Sequence, residues 1–358
     1  MLRMETSPVE RLILRTQYAI GQGARLAWYG AQEAAARRVI ARLDKKAGDA
    51  RPKAPKPTGP VPNRDQVFAD ITELLRRDMK NVERGFYPVP EDADSLPRLL
   101  ALSRRYFADL PKVHRRQVEK SHQEVFTTTR KNAMPRYYLQ NFHYQSGGWL
   151  SEESAELYDF QVEVLFRGAA GAMRRQALLP IAEMVREADQ RHLVLADIAC
   201  GSGAFLNDIA HAFPRLTKIG IDLSNPYLKT ARRRLKDASH TGFAVANAEA
   251  LPLADDSLDC VSNIYLFHEL PAKVRRIVAG EFARVLKPGG RLIFVDSLQR
   301  GDRPDYDGML ENFPHLFHEP YYAHYLDDDV LGAFEANGLV AEKSWTAFLS
   351  KIVVMRKT

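Results

Sequence analysis

Residues 194–206, VLADIACGSGAFL, decide the fold class of this 358-residue chain. Apolar strand-forming residues run into two glycines, Gly201 and Gly203, and then into the apolar start of a helix. Glycine lets the backbone turn sharply and approach a ligand closely, because it has no Cβ. The stretch therefore predicts a strand, a ligand-binding turn and a helix in succession.

Strand-like and helical segments alternate downstream of residue 193. We predict strands at 193–198, 217–222, 242–246, 259–264 and 291–296, and an apolar hairpin-like stretch at 339–356 could add the last strands. This alternation is typical of a parallel sheet with helices on both faces. The predicted fold class is α/β: a Rossmann-like, seven-stranded, mostly parallel sheet with helices on both faces, plus an added N-terminal helical region.

The chain before this alternation divides into three predicted parts. Residues 1–48 are predicted to form a basic amphipathic helix, which Gly21 and Gly23 weaken or kink. Residues 49–63 contain five prolines and are predicted to be a linker that isolates this helix. Residues 64–155 are predicted to be a helical and lid region, and 156–358 the α/β domain. A basic amphipathic helix can lie on an anionic membrane surface or in a partner's groove, or it can simply pack on its own domain.

Charge and cysteine usage narrow the class of protein. Residues 1–60 hold 12 Lys+Arg and 5 Asp+Glu, which leaves 39 basic and 40 acidic residues in the remainder. A basic nucleic-acid cleft through the α/β domain is therefore not expected. No stretch of eighteen apolar residues and no secretory signal is present, and the two cysteines suggest buried free thiols. We expect a cytoplasmic protein, with peripheral membrane contact if the basic helix binds lipid.

Two carboxylates near the glycine turn indicate the charge of the ligand. Asp197 is expected at the end of the first strand, where it would repel a pyrophosphate and attract a cationic amino-acid group. Dinucleotide sites also favour a third glycine where this chain has Leu206. Asp222 follows Gly201 by 21 residues, at the tip of the next strand, which suits hydrogen bonds to ribose hydroxyls. A nicotinamide-dependent oxidoreductase is thus the less favoured interpretation.

Three further motifs complete an ordered set. They are NAEALP at 247–252, LDCVSNI at 258–264 and VLKPGGRLIFVD at 285–296. Together with the glycine turn and Asp222, they resemble class I S-adenosylmethionine-dependent methyltransferases over about residues 190–300. The branch they resemble most includes the ubiquinone/menaquinone-biosynthesis enzymes and many small-molecule enzymes. The resemblance implies S-adenosyl-L-methionine as cofactor and residues 156–358 as the methyltransferase domain.

The resemblance also implies which positions bind the cofactor. Asp197, Gly201 and Gly203 would line its methionine and ribose portion, with Asp222 on the ribose and Leu223 on the adenine. Asn247 and Ala248 would meet the adenine edge, and the Asn263 backbone would face the methionine end. The full expected set is Asp197, Ala199, Gly201, Ser202, Gly203, Asp222, Leu223, Asn247, Ala248 and Asn263. The family often has Asp where this chain has Asn247, whose amide oxygen can still accept a hydrogen bond.

Candidate catalytic and acceptor residues follow from position and chemistry. His268 and Glu269 follow the fourth strand, at the sheet edge where open α/β sheets bind ligands. Their alternative roles are local: a hydrogen-bonding histidine at a helix start and a first-turn glutamate that favours the helix dipole. The aromatic segment 306–329 is expected to form a substrate wall. The aromatic segment 137–150 could be a lid over the cofactor, with Tyr144 and Trp149 as contacts, or it could be core packing between the N-terminal helices and the sheet. The predicted substrate-binding residues are His143, Tyr144, Trp149, His315 and Tyr321. No metal is expected, since the histidine spacing in 306–329 has no zinc-site form.

The predicted function is methylation of a small, apolar or amphipathic acceptor, and a lipid or quinone-like one if the first helix binds a membrane. A non-catalytic module that docks through that helix is the alternative. Nucleic acid is not the expected acceptor, because Asn263-Ile-Tyr-Leu stands where exocyclic-amine methyltransferases carry Asn/Asp-Pro-Pro-aromatic.

Overall fold

The computed structural model describes residues 7–48, 55–91, 94–128 and 134–358. Residues 49–54 of the expected proline-rich linker lie outside the described residues. The helices are α1 Pro8–Ala47, α2 Arg64–Glu83, α3 Leu96–Glu119, α4 Glu124–Thr128, α5 Glu152–Leu165, α6 Ala170–Arg175, α7 Leu178–Glu187, α8 Ala204–Ala212, α9 Asn225–Arg234, α10 Ala272–Val285, α11 Asp307–Leu316, α12 Tyr322–Leu326 and α13 Val330–Glu335.

The strands form one seven-stranded sheet. They are β1 Val194–Ile198, β2 Thr217–Asp222, β3 Thr241–Val245, β4 Leu258–Ile264, β5 Leu286–Ser297, β6 Leu339–Ala347 and β7 Ser350–Lys357, in the spatial order β3-β2-β1-β4-β5-β7-β6. β1 to β5 run parallel, whereas β7 is antiparallel to both β5 and β6. The predicted α/β fold with a mostly parallel sheet is confirmed.

The strand order places the candidate site. The chain leaves β1 toward β2 and β3 on one side, and returns to β4 and β5 on the other. Ligands of open α/β sheets bind outside the carboxyl ends of the strands at this reversal of order. The strand register brings the carboxyl ends of β1, β2 and β4 together, because Ile198 at the end of β1 lies beside both Ile221 of β2 and Asn263 of β4.

Both faces of the sheet are buried under helices. Alternate side chains of β5 point in opposite directions, so Ile293 packs in one apolar cluster with Met173 while Phe294 packs in the other with Phe282. Strands buried on both faces read as near-continuous apolar runs, which is the pattern of residues 292–295. This core makes the sheet a rigid base for the loops at its carboxyl edge.

The N-terminal helices pack on the α/β body. α1 runs unbroken through Gly21 and Gly23, and it contacts α2, α3 and α5. Buried Asp78 of α2 accepts hydrogen bonds from Tyr18 of α1 at 2.7 Å and from Arg175 of α6 at 2.6 Å. The proline-rich segment therefore does not isolate α1, contrary to the expectation from sequence, because aromatic and polar side chains of α1 are buried against α2 and α6.

The outer face of the first half of α1 remains uncovered. The exposed apolar side chains and their exposed fractions are Val9 67%, Leu12 65%, Ile13 51% and Ile20 68%. Arg11 is exposed on the same part of the helix. Within the described ranges, no helix combines the length and apolar character needed to span a membrane.

Candidate functional site

The turn after β1 is built on left-handed backbone. Ala199 has a φ of 60°, Gly201 of 54° and Gly203 of 75°. Gly201 donates its N–H to Asp222 Oδ2 at 2.8 Å, which ties the turn to the end of β2. Apart from its chain neighbours, the nearest atom to a Cβ added at Gly201 would be Cδ1 of Tyr227, at 3.9 Å. Gly201 therefore presents bare backbone to open space on the ligand side of the turn.

Two carboxyls flank this turn, that of buried Asp197 and that of half-buried Asp222. Asp222 also accepts a hydrogen bond from Ser224 N–H at 2.7 Å, and Asp197 accepts one from Ser262 Oγ at 2.7 Å. Burial raises the pKa of Asp197 to about 7 and that of Asp222 to about 6, since it penalises the charged form. A cationic or hydroxyl-bearing ligand would restore the favourable surroundings that these carboxylates lost on folding.

A cavity opens over the turn and contains most of the expected cofactor residues. Those on its wall are Asp197, Ala199, Gly201, Ser202, Asp222, Leu223, Asn247 and Ala248. The candidate residues Glu269 and Trp149 also line it, together with Tyr137, Tyr138, Tyr158 and Arg174. The cavity therefore joins the glycine turn and its two aspartates to an aromatic wall and to the Glu269 carboxyl.

Two expected cofactor residues lie behind the wall. A Cβ added at Gly203 would come within 2.9 Å of the Ala231 Cβ, so this glycine permits close packing of the turn on α9. Asn263 is fully buried, and its Nδ2 donates to the Ile198 carbonyl at 2.8 Å. Both residues hold the turn in shape rather than line the cavity.

Four of the five expected acceptor residues also lie off the wall. His315 is exposed on α11. Tyr321 is not on the cavity wall, and its hydroxyl accepts a hydrogen bond from Gln140 Nε2 at 3.2 Å. His143 and Tyr144 both adopt a φ of 54°, a conformation that costs a non-glycine residue about 1–3 kcal/mol. Trp149 alone of the five lies on the wall, where its ring packs edge-on against Tyr158 and Tyr227.

Asn247 uses its amide within its own turn. Its Oδ1 accepts from Glu249 N–H at 3.1 Å, and its Nδ2 donates to Glu249 Oε1 at 2.9 Å. Tyr137 donates its hydroxyl to the same Oε1 at 2.6 Å. A carbonyl oxygen has a second lone pair, so Asn247 keeps acceptor capacity toward a ligand.

His268 is held by a buried carboxylate. Its Nδ1 lies 2.5 Å from Asp296 Oδ1, while Asp296 Oδ2 accepts from Phe267 N–H at 2.7 Å. The His268 Nε2 faces Glu269 Oε1 at 3.8 Å. Burial opposes charge on the imidazole, but Asp296 outweighs it and raises the pKa of His268 to about 9. Burial, together with the nearby Glu319, raises the pKa of Glu269 to about 8.

One cluster was not anticipated from the sequence. One donor atom each from His143, Glu269 and Glu319 lie within 4.8 Å of one another, and we call these residues the His–Glu–Glu cluster. They come from three distant segments: the loop before α5, the turn after β4 and the loop before α12. No local spacing connects them, so only the fold reveals the cluster.

Arg174 was likewise missed. It lies on α6, upstream of β1, where no motif points to the cavity. Its Nη2 is 3.5 Å from Glu163 Oε1, which the Arg25 guanidinium approaches more closely at 2.6 Å. The Arg174 Nε is buried and has no hydrogen-bond partner among the described residues. Arg174 thus brings a loosely paired positive charge to the cavity wall.

Comparison with known proteins assigns the segment that carries this turn. A family described as "Methyltransferase domain" matches residues 196–294. The fatty-acid O-methyltransferase of Mycolicibacterium smegmatis is 30% identical over 36% of this chain and 46% of its own. The malonyl-[acyl-carrier protein] O-methyltransferase of Methylococcus capsulatus is 36% identical over 28% of this chain and 36% of its own. The ubiquinone/menaquinone biosynthesis C-methyltransferase of Syntrophotalea carbinolica is 34% identical over 42% of this chain and 60% of its own.

This chain thus covers less than two thirds of each of these relatives. The matched segment contains the end of β1, the glycine turn, β2, β3, β4 and most of β5, which together form the side of the cavity that carries Gly201 and Asp222. Residues 196–294 therefore match the methyltransferase-domain family, in agreement with the resemblance to class I S-adenosylmethionine-dependent methyltransferases that the sequence motifs carry.

Proposed function

We propose that this protein transfers a methyl group from S-adenosyl-L-methionine to a small, apolar or amphipathic acceptor. The observation that carries the proposal is the single cavity in which the Gly201–Asp222 turn meets an aromatic wall and Glu269. One end has the chemistry of a nucleoside and amino-acid site, and the other has the chemistry of an acceptor site. A shared cavity would bring the two ligands into contact.

The cofactor end fits S-adenosylmethionine group by group. Asp222 offers carboxylate oxygens for ribose hydroxyls, and Asp197 offers a negative charge for an ammonium group. The unpartnered Nε of Arg174 suits the carboxylate of the amino-acid moiety. Gly201 leaves room for the ligand to approach the backbone. No phosphate is needed to satisfy any of these groups.

When bound, the cofactor supplies a methyl group already activated by a sulfonium. The work left to the protein is positioning and exclusion of water, which can contribute far more than acid–base help. The aromatic rings of Trp149, Tyr158 and Tyr227 pack edge-on against one another and close one side of the cavity. This wall would shield the reacting groups and accept an apolar acceptor.

Glu269 is the proposed catalytic contact with the acceptor, because its side chain reaches the cavity wall. His268 is off the wall and lies between Asp296 and Glu269, so we propose that it is a positioning residue for the Glu269 carboxyl. The relatives named for fatty-acid, acyl-carrier and quinone substrates support an acceptor that combines an apolar body with a polar reacting end.

We further propose that the enzyme works in the cytoplasm at an anionic membrane surface. The exposed apolar residues of the first half of α1 share one face of the helix, and α1 as a whole carries eight Lys or Arg against three Asp or Glu. Apolar side chains with basic neighbours suit a helix that lies in the headgroup region of a bilayer. Both cysteines, Cys200 and Cys260, are free and buried, as suits a reducing compartment.

Isothermal titration calorimetry of the full chain tests the cofactor assignment. We expect S-adenosylhomocysteine to bind with one-to-one stoichiometry and NAD not to bind. Tight NAD binding without S-adenosylhomocysteine binding would refute the proposal. Incubation with methyl-labelled S-adenosylmethionine and a lipid extract then tests transfer; cofactor binding without any labelled product would favour the non-catalytic alternative.

A further inference from the structure

We infer that the His–Glu–Glu cluster binds a divalent first-row transition-metal ion at the acceptor end of the cavity. The three side chains bring one nitrogen and two carboxylate groups to a common point, with one donor atom of each within 4.8 Å of the others. Two ligands of one tetrahedral ion lie about 3.3–3.6 Å apart when the metal–nitrogen and metal–oxygen bonds are about 2.0–2.2 Å, so small side-chain movements would bring all three groups onto one ion. The proposed transfer reaction is not needed for this inference.

Glu319 supplies the second observation. Its side chain is 0% exposed, and neither carboxylate oxygen has a hydrogen-bond partner among the described residues. Its Oε1 forms an ion pair with His143 Nε2, which leaves Oε2 with no partner in the described part of the chain. A buried carboxylate is normally paired, hydrogen-bonded or bound to a metal. A metal ion between Glu319 and Glu269 would supply the partner that Glu319 Oε2 lacks among the described residues.

The backbone around His143 holds the imidazole in place. His143 donates its N–H to the carbonyl of His318, the residue before Glu319, at 3.2 Å. The fully buried Asn141 donates its Nδ2 to the Gln145 carbonyl at 3.0 Å, across the turn that contains His143. Two of the three proposed ligands are therefore fixed relative to each other before any ion binds.

The donor set indicates the class of ion and its role. Imidazole with two carboxylates suits zinc, iron, cobalt or manganese better than magnesium or calcium, which favour oxygen alone. Three protein ligands leave at least one coordination position open, as in catalytic metal sites. Glu269 lines the cavity, so the open position would face the acceptor. This inference replaces the expectation of no metal, which considered the histidine spacing of a single segment.

Titration of the EDTA-treated full chain with Co²⁺, followed by visible absorption and by displacement with Zn²⁺, tests the site. We expect one equivalent of Co²⁺ to bind. The variants His143→Ala and Glu319→Gln should weaken this binding by more than about 100-fold, because losing a group that merely supports a ligand already costs about 10- to 100-fold. The matched controls His315→Ala and Glu335→Gln alter exposed residues outside the cluster and should bind Co²⁺ as the unaltered protein does.

Two outcomes would overturn the inference. One is an unaltered protein that takes up neither Co²⁺ nor Zn²⁺ at millimolar concentration, which would leave a buried His–Glu ion pair as the whole role of the cluster. The other is a control that loses as much binding as Glu319→Gln. The titration of the unaltered protein decides the matter even if a variant does not fold. S-adenosylhomocysteine binding to the EDTA-treated protein is measured alongside, so failure of the metal site is distinguishable from failure of the proposed methyl transfer.

Discussion

Replacing Arg174 with methionine removes a positive charge from the cavity wall while it keeps much of the apolar length of the side chain. Glu163 would keep its closer partner, Arg25 at 2.6 Å, so the substitution should not strand a buried carboxylate. A hydrogen bond to a charged group contributes about 1.5–3 kcal/mol. At 1.4 kcal/mol per factor of ten, the affinity for S-adenosylhomocysteine should fall by about 10- to 150-fold.

Two ligands separate this effect from general damage to the site. S-adenosylhomocysteine carries the amino-acid carboxylate, whereas 5′-methylthioadenosine has the same nucleoside without it. Calorimetry should show a weaker S-adenosylhomocysteine complex for Arg174→Met and an unchanged 5′-methylthioadenosine complex. Equal losses for the two ligands, or no loss for either, would refute the assignment of Arg174 to the carboxylate.

Burial raises the pKa of Asp197 to about 7, so its carboxyl gains a proton below that pH and no longer attracts the ammonium group of the ligand. The affinity for S-adenosylhomocysteine should therefore decrease as the pH is lowered from about 8 to about 5. A Kd that stays constant over this range would contradict the ion pair. Gly203→Ala should lower the free energy of unfolding by about 1–3 kcal/mol in urea titrations, because the new Cβ adds a clash to the strain of a positive φ. Gly301→Ala, with a positive φ but no atom within 4 Å, should cost less, and an equal cost would exclude the clash. Leu12→Glu should reduce co-sedimentation with anionic liposomes, whereas Val340→Glu, at an exposed position on β6, should not; equal sedimentation of both would argue against membrane contact through α1.

The α/β core could be predicted from sequence because its signals are local. An apolar strand, two glycines and an acidic residue at the next strand tip are read within about thirty residues, and Gly201 and Asp222 do meet in the structure. Strand boundaries were less accurate: β5 begins at Leu286, before the predicted 291, because Leu286 pairs with Leu258 of β4 ahead of a register shift that passes over residues 287–290. Hydrogen bonding to a neighbour, not local propensity, sets that end.

The acceptor side could not be predicted in the same way. Arg174 reaches the cavity wall, and His143 and Glu319 reach Glu269, from outside the ordered motifs, and these contacts depend on how α6 and the loops pack over the sheet. Gly203 and Asn263 show the converse limit. Both belong to motifs from which cofactor binding was predicted, yet in the structure Gly203 allows close packing and Asn263 makes a buried hydrogen bond. A motif identifies a segment, whereas tertiary contacts decide which of its atoms face the ligand.

The buried Asp78 accepts from Tyr18, Tyr87 and Arg175, and Arg175 also donates to Gln22 at 3.3 Å. A recombinant fragment that begins at the predicted domain boundary, residue 156, would retain the Arg175 guanidinium but lose its counter-ion. The fragment would also lose Tyr18, Ile71 and Leu74, which are buried in the same apolar cluster as Met173 and Leu178, so it would expose apolar surface that the full chain buries. Truncating the protein at residue 156 should therefore yield an aggregation-prone product. Helices α1 and α2 are better treated as part of the folding unit than as a removable attachment.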